Sequence, residues 1–340
     1  MKKSHYLAAL FLLILLSPAL SAADYSSGNI RLTLHEGIGR FSLYRITDMD
    51  EVAYEPFFIS QDPRTSFLAV LFNNRIYRLG ESSSFRVRLR EQGEDPAIIF
   101  DSSLLLVTEE FSFIRTKNAS SANGIQIQIR IENKSPAQAD VGLRFLLDTS
   151  LGEKRETPPF ITDRQKINAE TAIETTSPDH FWISRNDRLS LMGSIDAEAG
   201  KKPDLVLFSN WKRQNEVPWK TAYLPGRNFS YLPYSIGDSS VCYYYDPQPL
   251  SRGEEVVYTL FLAAEDEAGF EGISAGTPRV VPEIVPLPVI DDTQETDLAL
   301  LRSLVARIDD YLADNSDLTE EELASIEQTI AMLRARYRLP

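Results

Sequence analysis

The sequence predicts a mainly β protein: a large antiparallel β-sandwich, then a Pro-rich linker and a C-terminal α-helical hairpin. Three observations predict it. Apolar residues recur with period two from Ile30 to about Ala264, the mark of strands with one buried face. Turn-forming clusters such as Ser120-Ser121-Ala122-Asn123-Gly124 and Asn133-Lys134-Ser135-Pro136 interrupt these runs. From Asp297 the apolar spacing changes to three and four, the period of a helix.

In chain order, residues 1–23 have the layout of a secretory signal peptide: Lys2 and Lys3, an apolar run from Leu7 to Leu16, Pro18, then small residues at Ala19, Ser21, Ala22 and Ala23. That run falls short of the roughly 20 residues needed to span a bilayer as a helix, and no other stretch is long and apolar enough. The expected location is therefore exported, periplasmic or extracellular, with no membrane span in the mature chain. Residues 24–276 form the sandwich. Ile30, Leu32 and Leu34 alternate with Arg31 and Thr33, Ile125 to Ile131 alternate with Gln126, Gln128 and Arg130, and Val141, Leu143, Phe145 and Leu147 make another face. Phe67–Phe72, Asn73-Asn74 and Arg75–Leu79 read as a hairpin, because Asn tolerates the positive φ of tight turns. The sequence suggests no amphipathic helix within the sandwich. Arg86, Arg88 and Arg90 line one strand face and should pair with acidic neighbours across the sheet.

Residues 277–296 carry Pro278, Pro282, Pro286 and Pro288 and should run extended. In residues 297–340, Leu301, Leu304 and Ile308 form one helical stripe. After a break near Asn315, Thr319 and Glu322 make a capping box, and Leu323, Ile326, Ile330 and Leu333 form the second stripe. Two thin apolar stripes cannot stay in water, so this hairpin is expected to dock on another surface, with a protein partner or self-association as the outcome.

Removing the leader takes two of the 35 basic residues and leaves 49 acidic ones, a net charge of about −16. Such a surface does not suit nucleic acid, whose binding rests on Lys and Arg at phosphates. The single cysteine, Cys242, lies in a Val-Cys-Tyr-Tyr-Tyr strand pattern and reads as a small buried hydrophobe.

Candidate chemistry is sparse. Only His35 and His180 remain after the leader, no HExxH or CxxC spacing occurs, and neither a metal site nor a cofactor is expected. Gly272-Ile273-Ser274-Ala275-Gly276 matches a nucleophile elbow in letters only, since proline follows it and no histidine does. Asp148 and Glu153, after the strand ending Leu146-Leu147, could pair as carboxylates of the glycosidase kind, but the expected role is local, with Asp148 and Thr149 bonding backbone amides as the strand turns out of the sheet. The stretch from Phe208 to Tyr234 concentrates aromatics and prolines as a long loop. Its rings are expected to cover the end of the sandwich and anchor the loop; if the loop is a site, Trp211, Trp219 and Tyr223 are its ligand platforms, suited to a glycan or a protein surface.

The opening Gly37-Ile38-Gly39-Arg40-Phe41-Ser42-Leu43-Tyr44 and the passage from Leu147-Asp148-Thr149 to Pro159-Phe160 resemble exported bacterial β-sandwich proteins without assigned function. The many-stranded body, residues 28 to 265, also resembles the galactose-mutarotase-like class of large sandwiches. That resemblance implies a constellation of histidine and carboxylate, for which this chain offers only His35 and His180, and no catalytic residue is carried over. The expectation is thus a non-enzymatic exported scaffold whose sandwich loops and helical hairpin meet a partner. Carbohydrate binding by the aromatic loop is the first alternative. A sugar-processing enzyme using His180 with Asp148 or Glu153 is the second.

Overall fold

The computed structural model describes residues 22–48, 53–58, 62–90, 95–153, 158–196, 201–233 and 235–276. The expected leader up to residue 21, the Pro-rich linker and the helical hairpin with its stripe lie outside the described residues; Ala22 and Ala23, expected at the cleavage site, begin the first strand.

All strand pairing is antiparallel, in three sheets. The N-terminal sheet runs β1 (Ala22–Ser27), β2 (Ile30–His35), β3 (Arg40–Asp48) and β4 (Ala53–Pro56) in sequence order. A six-stranded sheet contains β5 (Phe67–Phe72), β6 (Arg75–Arg78), β11 (Ala139–Asp148), β14 (Thr171–Glu174), β17 (Leu205–Asn210) and β18 (Ser239–Leu250), in the order β14-β17-β18-β11-β5-β6. The ten-stranded sheet takes β7 (Arg86–Leu89), β8 (Ala97–Asp101), β9 (Leu105–Arg115), β10 (Gly124–Asn133), β12 (Phe160–Thr162), β13 (Lys166–Ile167), β15 (Phe181–Arg185), β16 (Ser190–Ser194), β19 (Glu255–Ala264) and the short β20 (Ser274–Ala275).

The alternation seen in the sequence is the alternation of the core. Val141, Leu143, Phe145 and Leu147 from the six-stranded sheet join Ile125, Ile127, Ile129 and Ile131 from the ten-stranded sheet and Ile30, Leu32 and Leu34 from the N-terminal one in a single apolar cluster. One core, rather than two in series, means one sandwich, and each fully buried aliphatic side chain contributes about 1.5–3 kcal/mol. Trp182 ties the sheets together: its indole N–H donates to Tyr243 Oη at 2.6 Å, and that hydroxyl donates to the Ser194 carbonyl at 2.9 Å. The hairpin turn at Asn73-Asn74 forms as expected, with φ of 46° and 64°. Arg90 meets Glu110 at 2.5 Å, and Cys242 is free and buried.

β11 is buried along almost its whole length, so its outward side chains need a second cover. Leu146, Cys242, Tyr244 and Phe67 form that smaller outer cluster. Its cover corrects the sequence reading, for Trp211–Glu216, expected within an irregular loop, is a short helix, α1. Asn210 caps its N-terminus, with Oδ1 accepting from Arg213 N at 3.1 Å. At the other end the buried Arg144 guanidinium donates to the carbonyls of Gln214 at 2.6 Å and Val217 at 2.7 Å. Six residues are too few to show a helical stripe, which is why periodicity missed them.

Candidate functional site

At one end of the six-stranded sheet, β11 and β17 finish where β18 starts. The register puts Asp148 opposite Ser240 and Asn210 opposite Ser239. Asp148 is the last residue of β11 and Asp238 immediately precedes β18, so the ladder itself brings two carboxyls from 90 residues apart to one edge. After Asp148 the chain turns through Thr149–Gly152. Gly152 is required there: a Cβ would stand 2.1 Å from the Pro159 carbonyl oxygen. The turn carries Glu153 back over the sheet end, where its Oε1 accepts from Ser239 N at 2.9 Å. One carboxyl oxygen from each of Asp148, Glu153 and Asp238 lies within 4.8 Å of the others.

Asp148 is 1% exposed, whereas Glu153 and Asp238 are half-buried. The Asp148 backbone amide donates to Ser66 Oγ at 2.9 Å, but its Oδ1 has no hydrogen-bond partner among the described residues. Both Ser66 and Thr65, which bonds the carboxyl, are distant in sequence, so neither bond is the local backbone capping expected of Asp148. Burial, reinforced by the charges of Asp238 and Glu153 and offset in part by a hydrogen bond with Thr65, pushes the Asp148 carboxyl up to about 8. Burial and the Asp238 charge, against the Ser239 amide, push Glu153 up to about 7. Asp238 is also raised by burial, while a hydrogen bond from Ser235 and the nearby Lys212 charge pull it back.

Three carboxyls at this spacing can bind a hard cation or share protons. Ca²⁺ takes 6–8 oxygens, yet Glu153 Oε1 and Asp238 Oδ2 already accept hydrogen bonds from the protein. Protons suit the set better, because carboxyls this close cannot all ionise when buried. The cluster can hold a proton at neutral pH and exchange it through the half-buried Glu153.

The residues singled out in the sequence go to different places. Asp148 and Glu153, weighed in the sequence as a carboxylate pair against local capping, come together with Asp238. His180 does not join them: its Nδ1 donates to Asp163 Oδ2 at 2.8 Å, and its side chain is 58% exposed. His35 Nε2 stands 2.9 Å from Ser42 Oγ on the N-terminal sheet. Trp211 is half-buried, its indole donating to the Thr65 carbonyl at 2.9 Å. Trp219 packs over Gly142, where a Cβ would meet its Cζ2 at 3.1 Å. Tyr223 is exposed. Ser274 Oγ accepts from Arg115 Nε at 3.2 Å, far from any elbow geometry. Sequence reasoning missed Asp238, Ser235 and Asn210; the only local signal was the polar turn Gly237-Asp238 before a strand. A groove of about 590 Å³ lies elsewhere, lined by Arg45, Asn118 and Asp266 among others. Hydrogen bonds from Thr116, Asn118 and Ala268 outweigh burial there and hold the Asp266 carboxyl below its usual range, so it keeps no proton to give.

No protein-family model and no curated protein matches the chain. Solved structures do. One is of a galactose mutarotase related enzyme from Lactobacillus acidophilus, 11% identical, covering 72% of this chain and 98% of that one at a TM-score of 0.44. Another is of a galactose mutarotase-like protein from Lactobacillus casei, 10% identical, covering 72% of this chain and all of that one at 0.36. The solved structures that the chain matches are of galactose-mutarotase-like proteins. The non-enzymatic scaffold expected from the sequence is corrected, because its premise, a sheet body without a chemical constellation, fails at the Asp148–Glu153–Asp238 carboxyl cluster.

Proposed function

We propose that the sandwich is a sugar-processing enzyme that moves protons at the anomeric centre of a saccharide. The observation that carries the reading is the carboxyl cluster, in which Glu153, raised to about 7, can give or take a proton near neutral pH. Asp238 would accept the proton of an anomeric hydroxyl. The C1–O5 bond would break with its electron pair going to the ring oxygen, and Glu153 would protonate that oxygen as the carbonyl forms. Closure from the other face returns both protons and yields the other anomer. Asp148, too buried to meet substrate, stands beneath and holds its own proton, so that only one full negative charge need be kept in the site.

An exposed apolar stretch with one aromatic ring supports a carbohydrate as the ligand. Tyr223 at 43%, Leu224 at 41%, Leu232 at 71% and Ile236 at 75% exposure are the exposed large hydrophobics among the described residues, and all precede Asp238 within one stretch. Tyr223 is proposed as the stacking platform, with Trp211 and Trp219 fixing the loop that carries it. Export to the periplasm or beyond belongs to the same reading and is checked by cell fractionation.

The test is anomer interconversion, followed by NMR on a panel of freshly dissolved aldoses, with wild type against Glu153→Gln. The proposal predicts acceleration by wild type and a loss of about 10²–10⁴-fold in the variant. An unchanged rate in Glu153→Gln, or no acceleration of any sugar by wild type, overturns it.

A further inference from the structure

Asn210, the last residue of β17, is 1% exposed and spends its side chain on the loop that carries Asp238. Its Nδ2 donates to Ser235 Oγ at 2.7 Å, to the Asp238 carbonyl at 3.0 Å and to the Phe229 carbonyl at 3.0 Å, while its Oδ1 caps α1. The Asp238 carbonyl also accepts from Trp211 N at 3.1 Å. The loop closes on itself through the Tyr231–Ser235 backbone pair and a bond from Gly237 N to Ser230 Oγ at 3.0 Å.

The direction of these bonds matters. A serine hydroxyl has one proton to give. Because Asn210 donates to Ser235 Oγ, that oxygen acts as acceptor there and its own proton is free to go to Asp238 Oδ2, 2.8 Å away. The chain Asn210 to Ser235 to Asp238 therefore has a single polarity, and it ends on a carboxylate. A hydrogen bond donated to a carboxylate favours the ionised form. We infer that Asn210 is a positioning residue that, through Ser235, selects Asp238 as the ionised carboxyl of the cluster and leaves the protons on Asp148 and Glu153. This deepens the proposed function, since the same division of labour makes Asp238 the base and Glu153 the acid. Among the described residues, the other charged groups bearing on Asp238 are Lys212, which favours its ionisation, and Asp148 and Glu153, which feel its charge.

The test reads protons directly and does not depend on turnover. Side-chain carboxyls of the full chain are labelled with ¹³C and titrated by NMR in wild type, Ser235→Ala and Asn210→Ala. Loss of the Ser235 hydrogen bond lets Asp238 take a proton at higher pH. With that charge weakened, the midpoint of Glu153 falls by about half a pH unit or more. Ser235→Ala should do this with little change in Tm, whereas Asn210→Ala should do the same and also lose the α1 cap. Restoring a hydroxyl with Ser235→Thr should restore the wild-type midpoint. A Glu153 midpoint unmoved in Ser235→Ala overturns the inference, even if Asn210→Ala is destabilised, because that pattern marks Asn210 as structural only. If the midpoints move as stated while wild type accelerates no sugar, the inference stands and the proposed function falls.

Discussion

Among the described residues, two places bury a carboxyl and raise it to about 8, and they differ in what faces it. Glu109 on β9 is 2% exposed and points into the core opposite the Arg40 guanidinium, itself 3% exposed. Burial raises Glu109 and the Arg40 charge opposes it; burial likewise lowers Arg40 to about 10 against the charges of Glu81 and Glu109. Arg40 also donates to the carbonyls of Ile38, Gly39 and Leu79 and to Glu81 at 3.1 Å. That is a structural staple holding the start of β3 to the loop after β6. At the sheet end, Asp148 has two more carboxyls beside it and, among the described residues, no guanidinium acting on it. A fold gains no stability from such an arrangement, so its persistence in a well-packed sandwich points to chemistry. The comparison teaches that a raised carboxyl alone identifies nothing; the sign of its neighbour separates a staple from a site.

The contrast can be broken first at the staple. Arg40→Leu should cost about 3–5 kcal/mol in urea unfolding, because it takes the Arg40 charge from beside Glu109 and leaves several carbonyls without their donor. It should leave the Glu153 titration where it was. A shifted Glu153 midpoint in the folded variant would mean that the two regions are one system.

Asp148→Asn should act in the opposite direction. In the folded chain Asp148 keeps a proton that the unfolded chain releases near pH 4. The stability linked to it is therefore fully present below that pH and is lost as pH climbs to about 8. Removing the titration should flatten stability across this window and raise it at pH 8 relative to wild type, by a few kcal/mol at most. Turnover near pH 7 should change little, because the amide keeps the neutrality that the protonated carboxyl supplies. A variant less stable than wild type at pH 8 would class Asp148 with Glu109 as structural.

Smaller effects sharpen the site side. Turnover that needs Glu153 protonated should fall as pH rises through about 7; a rate flat from pH 6 to 9 would remove Glu153 as the acid. Tyr223→Ala should raise KM a few-fold and leave kcat and the pH profile alone, as befits a platform worth about 0.5–1.5 kcal/mol. His180→Ala should change neither turnover nor stability by more than about 0.5 kcal/mol, since its Asp163 pair is solvent-exposed.

Much of the fold was legible because one-sided strands announce themselves. The faces Ile125–Ile131 and Val141–Leu147 and the Asn73-Asn74 turn fall where period and φ preference put them. α1 was not legible, for its stability comes from Asn210 and Arg144, both distant from a helical pattern. The site was half legible. Asp148 and Glu153 are five residues apart and drew notice together, but Asp238 is joined to them only by the β11–β18 register, which no local spacing encodes. The aromatic stretch was read by composition, and composition cannot tell Trp211, anchored to Thr65, from the exposed Tyr223.

The most direct test is where the protons sit. Carboxyl ¹³C titration of the folded wild-type chain, assigned with Asp148→Asn and Glu153→Gln, should give two midpoints near 8 and 7 that belong to this cluster. Midpoints for both at the ordinary value of about 4 would contradict the account.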